Sequence, residues 1–338
     1  MKTTYAALAL LLAVAPASAQ NVKITPLGSH PGELCANDRA TIFEDPTGVR
    51  ILYDAGQTVT GPDDARLGTI HVVLLSHAHG DHIGDQKLKA VGAGECANSE
   101  RVPAVPNSTT AEIAAAKNAA LAMAGDMGVF VSRKVQNIRG KPVAVCPQAG
   151  GVTTVPVATP CRSNTYLGGT FIAKTQDAPR GVEVTIVFAS HANNAPPSLL
   201  SEAQRSNVAA DGTGVALGPP TAYVVKFTNG LVAYLSGDTG IHSEMKTVVN
   251  EFHKANLAML NLGPSAGTAT AWAYGMNELV RPASVILTHA NEAVTEGGKL
   301  RSTSRAAALI QQLKATAHLA ISGRTMEFDG SGRCAAGC

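Results

Sequence analysis

The run Ser76-His77-Ala78-His79-Gly80-Asp81-His82 is the densest concentration of reactive side chains in the sequence, and it follows directly on the apolar stretch Ile70–Leu75. In extended backbone, His77 and His79 project to the same side, so two imidazoles can converge on one cation. Gly80 is expected to turn the chain sharply, letting Asp81 and His82 reach a second position a few ångströms away. Four donors of this kind, with no thiolate among them, suit Zn²⁺ and also accept Mn²⁺ or Fe.

Two ions need more than four ligands, and three later places supply them. Val182–Ala189 ends in Ser190-His191, Leu231–Leu235 ends in Ser236-Gly237-Asp238-Thr239, and Val285–Leu287 ends in Thr288-His289. Any one of these alone reads as a capped strand end or a satisfied histidine. Four apolar runs in order, each ending in a metal-type donor, point instead to a site built on one edge of a sheet, where the scaffold is rigid and the loops vary.

Together these residues resemble the metallo-β-lactamase-fold superfamily, across nearly the whole chain after the first twenty residues. The resemblance implies an α/β architecture, a four-layer αββα sandwich forming a single domain with an insertion. It also implies ligand roles: His77, His79 and His191 at a first ion, Asp81, His82 and His289 at a second, and Asp238 bridging both. Leu52-Tyr53-Asp54-Ala55-Gly56 looks like the early strand motif of that superfamily, whose aspartate orients a metal-bound histidine; Asp54 also reads as a plain turn residue before Gly56. Within the superfamily, Ser236–Met245 followed by Leu262-Gly263-Pro264 is most like the branch containing L-ascorbate-6-phosphate lactonase. Ala290-Asn291 after His289 and the Ala/Thr-rich stretch after Pro264 depart from that branch.

The chemistry implied is hydrolysis. Two ions ~3.5–4 Å apart would share a water and bring its pKa towards ~7, giving a nucleophile for an ester, lactone or phosphodiester. Asp81 would help orient that nucleophile. His242, near a helix start, reads either as a proton donor to the leaving group or as a surface histidine. Asn193 and Asn194 could meet substrate, but ordinary loop chemistry explains them as well. His30, His71, His253 and His318 fit no motif. Competing functions are β-lactam hydrolysis, an iron-dependent oxidoreductase on the same fold, RNA processing, and a purely structural metal site. RNA processing is disfavoured by weak net charge and the lack of a basic arm.

The elements that must position these groups read as strands alternating with helices. Further strand-like runs are Ile51–Tyr53, Ala222–Phe227 and Leu257–Leu262. Helix-like stretches fall at about 110–124, 243–254, 269–279 and 304–315. Asn229-Gly230 between two apolar runs signals a hairpin. The segment from about 91 to 180 is rich in Gly, Pro, Ala and Val, has one clear helix, and reads as an elaboration rather than a separate fold.

Bulk properties set the outer limits. With 338 residues, 45% hydrophobic, 15% charged and a net charge of +2, the chain has an ordinary globular composition and nothing that points to nucleic acid. Lys2, the apolar Ala6–Val14 and Ala17-Ser18-Ala19 before Gln20 form a secretory signal over residues 1–19. The mature chain, 20–338, is therefore expected in the periplasm or outside the cell, without a membrane anchor, acting on a small-molecule substrate. Cys35, Cys96, Cys146, Cys161, Cys334 and Cys338 then suggest disulfides, with about 15 pairings open. Cys334 and Cys338 are close enough to bridge locally.

Overall fold

A computed structural model describes residues 20–263 and 267–338; the expected secretory segment 1–19 and Pro264 lie outside them. Two large sheets organise the chain. The first has nine strands in the order Ala144–Val145, Cys161–Arg162, Ala120–Leu121, Val72–Leu74, Arg50–Tyr53, Ala40–Glu44, Val22–Leu27, Met326–Phe328 and Cys334–Ala336. The second has eight, in the order Val152–Val155, Thr170–Thr175, Val182–Phe188, Thr221–Lys226, Val232–Leu235, Leu257–Asn261, Ser284–Thr288 and Thr316–Leu319.

Period-two alternation along the first sheet explains its two packed faces. Phe43, Ile51, Tyr53, Val72 and Leu74 point towards the second sheet, where Phe43 stacks on Phe227 at 6.0 Å and Tyr53 meets Tyr223 edge-on at 6.2 Å. Ile42, Leu52 and Val73 point the other way, onto the helices Thr109–Lys117 and Gly125–Arg139. The second sheet is covered in turn by Met245, Val249, Trp272, Met276, Ala306 and Leu309 from later helices. The result is the layered helix–sheet–sheet–helix arrangement, with the main core between the sheets.

Strand direction brings the predicted donors to one edge. Val232–Leu235, Leu257–Asn261 and Ser284–Thr288 run parallel. Val182–Phe188 is antiparallel to Thr221–Lys226, which is antiparallel to Val232–Leu235, so it shares their direction. His191, Asp238 and His289 therefore leave the second sheet at the same end. In the first sheet, Arg50–Tyr53 and Val72–Leu74 are also parallel, delivering Asp54 and the 76–82 run together.

Several sequence expectations need correction. The helix expected over about 110–124 stops at Lys117, because Asn118 turns left-handed (φ 50°), and residues 120–121 enter the first sheet. A second helix in the 91–180 segment, Gly125–Arg139, was not expected. It starts without a side-chain cap but buries Met127, Val131 and Val135 at four-residue spacing. The strands Val22–Leu27 and Ala40–Glu44 and the helix Glu202–Asp211 were also missed. Asn229-Gly230 does close a hairpin, but through a three-residue loop in which Phe227 donates to Leu231 O and only Gly230 has positive φ (99°). Within 91–180, short strands extend both sheets at one end.

Candidate metal centre

The run after Val72–Leu74 does not turn where expected. Gly80 opens a one-turn helix, Gly80–Ile83, and the left-handed residue is Gly84 (φ 75°). Gly80 makes room for a neighbour instead: a Cβ there would fall 2.6 Å from Asp85 Oδ1, so the Asp85 side chain would have to shift. The short helix swings Asp81 and His82 round to face the histidines that precede it.

All seven donors named from sequence come together. His77, His79 and His191 form one group, Asp81, His82 and His289 a second, and His77, His82 and Asp238 a third that connects them. Within each group the donor atoms lie within 4.8 Å of one another. His77 Nε2 faces His79 Nδ1 at 3.0 Å, and His82 Nε2 faces His289 Nε2 at 3.0 Å. Asp238 sits between the groups: Oδ1 is 3.1 Å from His289 Nε2 and 3.5 Å from His82 Nε2, and Oδ2 is 3.9 Å from His191 Nε2. Imidazole nitrogens converging at this spacing suit cations with metal–nitrogen distances of about 2.0–2.1 Å, which place tetrahedral donors a little over 3 Å apart. The donor set and its spacing thus fit metal binding.

Buried hydrogen bonds fix the orientation of these rings. Asp54, fully buried with φ 42°, accepts from His82 Nδ1 at 2.8 Å, from Ser76 N at 2.8 Å and from Ser76 Oγ at 2.7 Å. His82 is left with Nε2 as its inward-facing nitrogen, the second-partner geometry that settles which imidazole nitrogen can ligate. Gly237 (φ 56°) passes so close to Ser76 that a Cβ would lie 3.0 Å from that side chain, and its N–H donates to Tyr53 Oη at 3.0 Å.

Sequence reasoning missed two polar groups here. Asn261 Nδ2 donates to Asp238 Oδ1 at 3.0 Å; its signal was a polar residue ending the apolar strand Leu257–Asn261. Arg39, whose side chain is 1% exposed, forms an ion pair with Asp81; an isolated arginine carries no spacing that could have announced it.

The charges respond strongly to one another. Burial would raise the carboxyls of Asp81 and Asp238, but Arg39, His82 and His289 around the first, and His289 and His82 around the second, hold both well below the usual carboxylate range. Burial would lower His82, yet the carboxylates of Asp238, Asp81 and Asp54 push it up to about 10. Burial keeps His77 well below the ordinary imidazole value. Both carboxylates are therefore ionised donors at neutral pH.

His242 is not among the clustered donors. Its ring meets Phe188 edge-on at 5.2 Å, and both ring nitrogens are shielded without hydrogen-bond partners. Asn193 is committed to the scaffold: it accepts from Ala78 N at 2.8 Å and donates towards the carbonyls of Leu217, Gly218 and Pro219. His71 accepts from Arg50 N at 3.0 Å, an architectural role.

Solved structures share this layered fold. The metallo-β-lactamase fold protein YhfI from Bacillus subtilis superposes with a TM-score of 0.50 at 12% identity, covering 91% of this chain and 99% of its own. This chain has the metallo-β-lactamase fold. Igni18, a metallo hydrolase from Ignicoccus hospitalis, is also similar, with a TM-score of 0.55, 19% identity and the same coverage. In sequence, a UPF0173 metal-dependent hydrolase from Cupriavidus metallidurans is 28% identical over 246 residues, 70% of this chain and 66% of the relative. A second, from Methanobrevibacter smithii, is 23% identical over 208 residues, 60% and 59% of the two chains. The metallo-β-lactamase-fold chain thus spans less than two thirds of the length of these relatives. No family model matches it.

Three disulfides occur: Cys35–Cys96, Cys146–Cys161 and the local Cys334–Cys338. Among the described residues, no helix is long and apolar enough to cross a membrane.

Proposed function

We propose that the protein is an exported hydrolase that holds two divalent cations, with Zn²⁺ the first expectation, and cleaves an ester, lactone or phosphodiester in a small molecule. The carrying observation is the convergence of seven donors from four strand ends, with Asp238 facing both groups. The name metal-dependent hydrolase borne by the similar sequences supports the same reaction class.

His77, His79 and His191 would hold one cation, Asp81, His82 and His289 the other, and Asp238 would be shared. Cations so held supply Lewis acidity to a carbonyl or phosphoryl oxygen and lower the pKa of water. Asp54 and Ser76 keep His82 turned inward, and Asn261 steadies Asp238. Burial holds His242 below the ordinary imidazole value. It would be largely neutral near pH 7 and suited to binding, or to proton delivery to a poor leaving group only after charging. The disulfides and the secretory pattern of residues 1–19 support export.

A panel of lactones, phosphodiesters and the β-lactam nitrocefin, assayed with and without a chelator, tests this reading. Chelator-sensitive turnover of a lactone or phosphodiester is expected. Turnover confined to nitrocefin, or indifferent to chelation, would overturn it.

A further inference from the structure

Among the described residues, the hydrogen bonds and ion pair that the segment from Cys35 to Arg39 makes with the centre fall on its Asp81–His82–His289 side. Asp38 O accepts from His289 N at 3.1 Å and from Thr288 Oγ1 at 3.2 Å. Arg39 pairs with Asp81, and its Nη2 lies 3.4 Å from Asn291 Oδ1. On the far side His289 is held at φ 48°, in the left-handed region that most side chains disfavour, and Asn291 at φ 52°, which asparagine tolerates. Such a backbone persists only where neighbouring contacts hold it.

The segment is itself held at two points. The Asp38 carboxylate accepts from Ser29 N at 2.7 Å and Cys35 N at 2.8 Å. The disulfide from Cys35 reaches Cys96, 61 residues away, at the tip of a short hairpin, and Ala36 N donates to Cys96 O at 3.1 Å. The three-histidine group has a support of its own in Asn193, which accepts from Ala78 N, while Ser76 stands beside both His77 and His82.

We propose that residues 35–39 are the element that shapes the Asp81–His82–His289 site. Arg39 acts as the positioning residue for Asp81, and the Cys35–Cys96 bridge fixes the segment in register. The inference rests on the two-cation reading above. Arg39 is too deeply buried to meet substrate, so its guanidinium acts on the ligand and not on the reactant. Partners that orient ligand side chains commonly change metal affinity by about 10–100-fold when removed. Loss of this segment's grip should therefore loosen one cation and spare the other.

Stepwise Zn²⁺ binding, followed by competition with a chromophoric chelator, reads this without any substrate. Wild type is compared with R39M, R39K and C35A/C96A, with folding checked by far-UV circular dichroism. In R39M and C35A/C96A one ion is expected to bind within about threefold of wild type and the other about 10–100-fold more weakly, with R39K between R39M and wild type. Wild-type constants for both ions in R39M and R39K overturn the proposal, whether or not C35A/C96A folds. So does equal weakening of both ions, which signals a general structural role. If wild type itself binds fewer than two ions, the two-cation reading fails as well, an outcome distinct from unaffected variants.

Discussion

The carboxylate of Asp54 lies 2.8 Å from His82 Nδ1, and that bond aims His82 Nε2 at His289 Nε2, 3.0 Å away. A residue at the end of one strand thereby sets the direction of a donor 28 positions later. D54N keeps the size of the side chain but presents an amide donor or a weaker acceptor to Nδ1. It is expected to weaken one of the two proposed cations by about 10–100-fold while the chain stays folded, as measured by chelator competition alongside circular dichroism.

Asp238 faces His82, His191 and His289, and the proposed function makes it the donor shared by both cations. D238A should cost affinity at both cations and abolish chelator-sensitive hydrolysis, whereas H191A should mainly affect the three-histidine group. Stoichiometry by elemental analysis separates the two: the same stoichiometry in both variants would argue against sharing by Asp238.

The aromatic contact between the sheets carries stability and not chemistry. Phe43 is 1% exposed and stacks on Phe227. F43A should lower unfolding free energy by about 3–5 kcal/mol, read by urea titration of the metal-loaded protein.

Acid sensitivity has an identifiable source away from the centre. Burial would raise the Asp64 carboxyl, but bonds from Arg66 and from Thr60 N hold it below its ordinary value of 3.8. With the folded value depressed, its stabilisation is complete above the unfolded value and fades as pH falls towards the folded one. The stability gap between wild type and D64N should therefore shrink as pH drops below about 4. A gap that widens on acidification would refute this assignment.

The centre was more legible than the frame around it. Histidine and aspartate at the ends of apolar runs advertise themselves by type, so His191, Asp238 and His289 could be tied to the 77–82 run before any coordinates. The helix Gly125–Arg139 hid because it starts at glycine without a capping side chain, inside a segment whose composition suggests loop. The strand Ala40–Glu44 is buried almost throughout and shows no strong polar alternation. The expected turn at Gly80 falls instead at Gly84, and the crowding of Gly80 by Asp85 is a tertiary fact that the sequence does not carry. Arg39 was invisible for the same reason: its meaning comes from Asp81, 42 positions away, and from the depth at which the two meet.

Metal content and hydrolysis, measured together on the protein as purified and through cycles of chelation and Zn²⁺ return, bear most directly on the whole account. Two divalent ions per chain are expected, with hydrolysis disappearing as they are stripped and recovering when they are restored. A folded protein that hydrolyses at full rate with no metal bound would contradict it.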